Sequence, residues 1–140
     1  TSSMDCGPAS LKCVLEGFGV PVSYGRLREA CQTDVDGTSI DVIEDVANQM
    51  GVTAEQVLIP ADHLFLPRST QLPAIVVVRH ADGSTHFVVV WRRHGRWLQV
   101  MDPALGRRRS RSSAHNARGN NPKLSISGTT PRTCGSMYCK

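Results

Sequence analysis

The chain has 140 residues, of which 40% are hydrophobic and 20% charged, enough to bury one core and too few for two. No stretch approaches 18 consecutive apolar residues, and no charged-then-apolar leader opens the chain, so these residues predict neither a membrane span nor an export signal. The formal charge of +4 averages two unlike parts: 8 Lys and Arg stand against 12 Asp and Glu up to Asp102, and 8 basic residues with no acidic one follow from Pro103.

The first predicted element begins at Asp5-Cys6-Gly7-Pro8-Ala9-Ser10. Asp5 suits a helix N-cap, and Pro8 is tolerated in the first turn, where its missing N–H has no intrahelical partner. Ala9, Leu11, Cys13, Val14, Leu15 and Phe18 supply mainly apolar positions, and Gly17 and Gly19 end the helix. Amide dipoles concentrate partial positive charge at a helix start, which favours thiolate over thiol at Cys6. Most intracellular cysteines are small buried hydrophobes, so a nucleophilic role for Cys6 requires a partner.

Two further helices follow. Ser23 can cap Tyr24 to Cys31, with Leu27, Ala30 and Cys31 inward. Thr38 or Ser39 can cap Ile40 to Met50, where Ile40, Ile43, Val46, Ala47 and Met50 share one face and Gly51 is the stop. Thr53 to Ile59 reads as a strand leading to a turn at Pro60.

Leu72 to Arg79, Thr85 to Arg92 and Arg96 to Met101 are rich in β-branched and aromatic residues and read as an antiparallel meander. A three-residue loop at Arg93-His94-Gly95 would set Arg92 opposite Arg96, Val90 opposite Leu98, Val88 opposite Val100, and His86 opposite Asp102. Directly opposed residues have Cβ atoms about 4.5–5.5 Å apart, close enough for a carboxylate to accept from an imidazole N–H and fix its tautomer. The other histidines lack such a partner: His80 and His94 fall in or beside turns, His63 in a short surface turn or helix, and His115 in a polar tail.

Helices first and an antiparallel sheet afterwards predict an α+β domain. The core is expected to end at residue 109, with residues 110–140 a basic, low-hydrophobicity tail that is disordered or non-native. The run Arg107-Arg108-Arg109-Ser110-Arg111 has no interleaved aromatics and joins no nucleic-acid motif, so it reads as a solvated segment and no nucleic-acid partner is expected. Five cysteines are an odd number for a disulfide framework. Cys13 and Cys31 read as core, and Cys134 and Cys139 lack a histidine pair to complete a zinc site, so neither metal nor cofactor is expected.

Met4-Asp5-Cys6-Gly7-Pro8-Ala9-Ser10, Gly37-Thr38-Ser39-Ile40, His86-Phe87-Val88-Val89-Val90 and Asp102-Pro103 together resemble the C39 cysteine peptidases. That family is the papain-like N-terminal domain of peptidase-containing ABC transporters, which cut leader peptides from bacteriocins and related exported peptides. Covering about residues 1–109, the resemblance implies a papain-like cysteine peptidase fold with Cys6 as nucleophile, His86 as general base and acid, and Asp102 orienting the histidine. It also implies a precursor peptide with a double-glycine leader as substrate, cleavage after Gly-Gly, and transmembrane and ATPase domains of an ABC transporter as partners in the same full-length chain. The location implied is the cytoplasmic face of the bacterial inner membrane. No Gly-rich phosphate loop for ATP stands in these residues.

One departure bears on turnover. The family places an oxyanion-hole glutamine six residues before the cysteine, and here that position would precede Thr1, so a start cut inside the motif is expected. Loss of one oxyanion donor lowers turnover by about 100- to 1000-fold. The alternative reading is a non-catalytic module that keeps the fold and docks leader peptides for an exporter.

Overall fold

The structure, a computed structural model, describes residues 5–33, 37–66, 72–79, 83–111 and 125–131. Three helices come first: α1 (Cys6–Gly17), α2 (Tyr24–Ala30) and α3 (Ile40–Gln49). Strands β1 (Val52–Leu58), β2 (Ala74–Arg79), β3 (Thr85–His94), β4 (Trp97–Asp102), β5 (Gly106–Arg111) and β6 (Ser125–Pro131) follow, with a 3-10 turn at Ala61–Phe65. They form one sheet in the order β1-β6-β2-β3-β4-β5, antiparallel at each junction. This is the predicted α+β arrangement, helices on an antiparallel sheet.

Alternation along the strands divides the core into two. Ile75, Phe87 and Val89 point to the helices and pack with Leu11, Val14, Leu15, Leu27 and Ile43, as the period of two requires. Their neighbours Ala74, Val76, Val88 and Val90 point the other way and pack with Leu64 and Leu98. Leu11, Val14 and Leu15 are fully buried, so α1 is the helix most deeply set against the sheet.

The caps match the sequence at two helices and differ at the first. Ser23 Oγ accepts from Arg26 N at 3.4 Å, and Ser39 Oγ accepts from Val42 N at 3.3 Å. Asp5 makes no side-chain cap bond to α1. Its Oδ1 instead lies 3.1 Å from Arg28 Nε, tying the start of α1 to α2.

The β3–β4 hairpin corrects the expected register. His94 faces Trp97, so the loop is the two residues Gly95-Arg96, with Gly95 at φ +60, rather than Arg93-His94-Gly95. The ladder continues through Arg93 with Leu98 and Arg92 with Gln99, shifts by one residue between Val90 and Arg92, and resumes at Val90 with Val100 and Val89 with Met101. The extra residue in that bulge is Trp91. Bulges re-aim a side chain, and the Trp91 ring lies directly against Gly17 at the end of α1 and edge-on to Phe18, with centroids 6.4 Å apart.

Strand pairing also passes the expected boundary at residue 109. β5 runs to Arg111 along β4, so the arginine run pairs as a strand of the sheet, with Arg107 and Arg109 exposed. β6, from within the region read as tail, lies between β1 and β2. Backbone N–H and C=O groups of two neighbours position such a strand, and that pairing leaves no side-chain periodicity to read in Ser125–Pro131. His80, His115, Cys134 and Cys139 lie outside the described residues. Among the described residues no helix is long and apolar enough to cross a membrane.

Candidate active site

Cys6 is the first residue of α1 and is 7% exposed. The glycine after it marks a close approach: a Cβ at Gly7 would come within 3.1 Å of both Thr38 Cβ and Ile43 Cδ1. The first turn of α1 therefore touches the entry to α3, where Thr38 Oγ1 also lies 2.8 Å from Thr33 Oγ1. Two of the sequence segments that carried the resemblance, Cys6-Gly7 and Gly37-Thr38-Ser39-Ile40, thus meet in space.

One turn beyond Cys6, the fully buried Ser10 donates its hydroxyl proton to the Phe87 carbonyl at 3.3 Å. Phe87 directly follows His86 on β3. This bond holds the Cys6-bearing end of α1 against the His86-bearing end of β3. Sequence reasoning missed Ser10, because a serine on an otherwise apolar helix face carries no sign of its partner 77 residues away.

His86 Nε2 and Asp102 Oδ1 are 2.9 Å apart, with 15% and 12% of the two side chains exposed. The contact was expected; the register producing it was not. Met101 stands opposite Val89, so Asp102 reaches His86 diagonally rather than directly across. The same Oδ1 accepts from Ala104 N at 2.9 Å, and the turn closes with Leu105 N donating to the Asp102 carbonyl at 3.2 Å. Burial opposes ionisation of Asp102, but the His86 bond, the Ala104 and Leu105 amides and the histidine charge outweigh it and hold the carboxyl below the usual carboxylate range. A carboxylate facing Nε2 holds the ring proton on that nitrogen and leaves Nδ1 the basic one.

Other side chains set the surroundings. Burial pushes the Tyr24 phenol up, and the Asp5 and Cys6 charges act in the same direction, which places Tyr24 at the same end of α1. Burial also raises Cys31, to about 11, and Cys13. Those two thiols fit the core role expected of them. Among the described residues, no three His, Cys, Asp or Glu side chains are grouped to hold a metal ion.

A cysteine opens a buried helix that packs against β3, and a histidine–carboxylate pair joins β3 to β4 in one α+β domain. A model of the Peptidase C39 family matches residues 1–117, and the chain belongs to that family. It is 31% identical over 103 residues to the lactococcin-G-processing and transport ATP-binding protein of Lactococcus lactis, covering 74% of this chain but 14% of that protein. An uncharacterised protein of Methanothermobacter marburgensis is 34% identical over 111 residues, covering 79% of this chain and 73% of its own length. In fold, the chain is similar to a double glycine motif protease from an AMS/PCAT transporter, solved in complex with the leader peptide. That likeness has TM-score 0.76 and 21% identity and covers 94% of this chain and 88% of the other. The peptidase domain of Streptococcus ComA, a bi-functional ABC transporter of a quorum-sensing pathway, has TM-score 0.75 and 22% identity over 94% and 95% of the two chains.

Proposed function

We propose that this domain is a cysteine endopeptidase that removes the leader of a bacteriocin-like exported peptide after a Gly-Gly pair, as part of a peptidase-containing ABC transporter. The observation that carries the reading is the His86–Asp102 bond of 2.9 Å on the strands tied to the Cys6 helix through Ser10 and Phe87. The Lactococcus relative, named for processing and transport, and the double glycine motif protease fold support the choice of substrate and partners. In this reading the partners are transmembrane and ATPase domains of the same full-length chain, which hold the domain at the cytoplasmic face of the bacterial inner membrane.

Each residue has one task. His86 Nδ1 takes the Cys6 proton, and the thiolate attacks the carbonyl carbon of the scissile peptide. The resulting oxyanion accepts from the Cys6 backbone N–H, one of the amides left without an intrahelical acceptor at the start of α1. His86 then gives its proton to the leaving amine, the C–N bond breaks, and a thioester remains. Water, deprotonated by His86, attacks the thioester; the acid product leaves and Cys6 regains its proton. Asp102 keeps the imidazole oriented and stabilises its cationic form throughout.

The 7% exposure of Cys6 favours a second reading, a leader-docking module without turnover. Cleavage of a double-glycine leader peptide decides between them, measured for the chain, for a form with Gln directly before Thr1, and for the Cys6→Ala variant of each. Cleavage that requires Cys6 and rises with the glutamine supports the peptidase. Binding without cleavage in both forms overturns it in favour of docking.

A further inference from the structure

On the helix-facing side of β3, β4 and β5, beyond the helices, lies a groove of about 420 Å³ whose lining includes Arg92, Arg107 and Arg109. We propose that it binds an acidic segment of the peptide the domain processes, an inference that rests on the peptidase reading above.

The register builds the groove from residues far apart in sequence. Arg92 on β3 faces Gln99 on β4, which faces Arg109 on β5, so two guanidinium-bearing positions flank one amide across three strands. Adjacent strands are about 4.8 Å apart, which sets those two arginine positions roughly 10 Å from each other. Arg107, two residues along β5, adds a third about 7 Å away on the same face. Arg92 Nε donates to Gln99 Oε1 at 3.0 Å, which fixes the direction of its fork.

These cations have no internal counter-charge. All three arginines are exposed, and among the described residues no carboxylate makes an ion pair with any of them. The chain has no acidic residue after Asp102, and Asp102 is engaged by His86 and Ala104. Three like charges lining one concavity repel each other, and an entering anion relieves that repulsion. Guanidinium forks match carboxylates two oxygens at a time.

Shape and position select a peptide over other anions. A concave groove receives a chain, whereas a membrane meets a flat or protruding surface. Trp97, 43% exposed at the end remote from Asp102, supplies an aromatic platform for an apolar side chain between acidic ones. Arg107 faces Met101, whose side chain packs with the helix-side core, and Gly106 faces Asp102, whose side chain points to the other face, so the arginines run along β5, the last strand of the described sheet, on the helix side. The helix α1, which carries Cys6, packs on the same face of the sheet as this row.

The test uses the Cys6→Ala chain, which binds without turning over, and two labelled double-glycine leader peptides that differ only in carrying Glu or Gln at two positions upstream of the glycine pair. The Glu peptide should bind about tenfold more tightly at low salt, the sum of two or three exposed charge pairs, with the advantage shrinking at high salt. Arg107→Gln with Arg109→Gln should remove that advantage, and Arg26→Ala, which deletes an exposed cation elsewhere, should keep it; circular dichroism checks that each variant folds. Equal binding of the two peptides, or a Glu advantage that survives loss of Arg107 and Arg109, overturns the proposal. So does arginine-dependent binding to phosphatidylglycerol vesicles without any Glu advantage. Cleavage of both peptides by the unmutated chain with no Glu preference sinks the groove and leaves the peptidase standing. Arginine-dependent binding of the Glu peptide with no cleavage of either sinks the peptidase instead and leaves the groove as an acidic-peptide site.

Discussion

Asp102 reaches His86 diagonally across the β3–β4 ladder: the side-chain atoms are 2.9 Å apart although Met101, not Asp102, continues the pairing opposite Val89. Diagonal neighbours on one sheet face lie about 7–8 Å apart at the backbone, a gap that an imidazole and a carboxylate span together. Glutamate would overreach it. Asparagine would fit it, and its amide cannot stabilise the imidazolium.

Asp102→Asn should therefore lower leader cleavage by about 100-fold or more while the chain stays folded, the size usual for losing general acid–base function. Stability adds a separate signature. The folded-state value of Asp102 is depressed, so its contribution is fully present above the ordinary carboxylate value of about 4 and is lost as the pH falls through the lowered one. Thermal melts of the two proteins should differ near neutral pH and converge in acid. A gap that widens in acid would show that Asp102 is not ionised by its partners.

Ser10→Ala should cost about 1–2 kcal/mol in urea unfolding, because it removes a buried hydrogen bond to the Phe87 carbonyl. Cleavage should fall by more than the lost folded fraction accounts for, since that bond holds the Cys6 helix to the His86 strand. Unchanged turnover per folded molecule would mean that packing alone positions the pair.

Thiol labelling distinguishes the described cysteines. Burial raises Cys31 to about 11 and also raises Cys13, so at neutral pH both are almost wholly thiol, the unreactive form. Iodoacetamide followed by peptide mapping should mark Cys6 before either of them, and denaturation should erase the order. Early labelling of Cys31 would contradict its place in the core.

Gly17→Ala tests the Trp91 bulge. In an exposed helix the change gains up to about 1 kcal/mol, but here the new Cβ would lie 1.9 Å from the Trp91 ring. The ring must move from its place beside Phe18, and the expected result is a loss of about 1–3 kcal/mol, as for other overpacked sites. A neutral or stabilising effect in denaturant titration would show that Trp91 relocates freely.

The legible parts of this protein were those decided by neighbours in sequence. Ser23 and Ser39 cap the helices they precede, because an N-cap oxygen meets an amide three residues on and needs nothing else. Cys6 opens α1, and the apolar face of that helix that buries Leu11, Val14 and Leu15 follows from the helical repeat. Asp5 shows where that reasoning stops: it is a good cap by type, yet Arg28 of the next helix holds its carboxylate.

From its residues alone the sequence determined the chemistry on offer, a thiol at a helix start with a histidine and a carboxylate downstream, and the α+β order of elements. Only the tertiary structure decided how they meet. The two-residue turn and the Trp91 bulge shift the hairpin register in opposing amounts that no single-strand pattern encodes, and Gly17 on a distant helix makes the space for the bulge. β6 enters the sheet through backbone pairing with β1 and β2, and the groove arginines converge from β3 and β5. Backbone hydrogen bonds are indifferent to the side chains they carry, so a strand's partners depend on what the rest of the chain leaves unpaired.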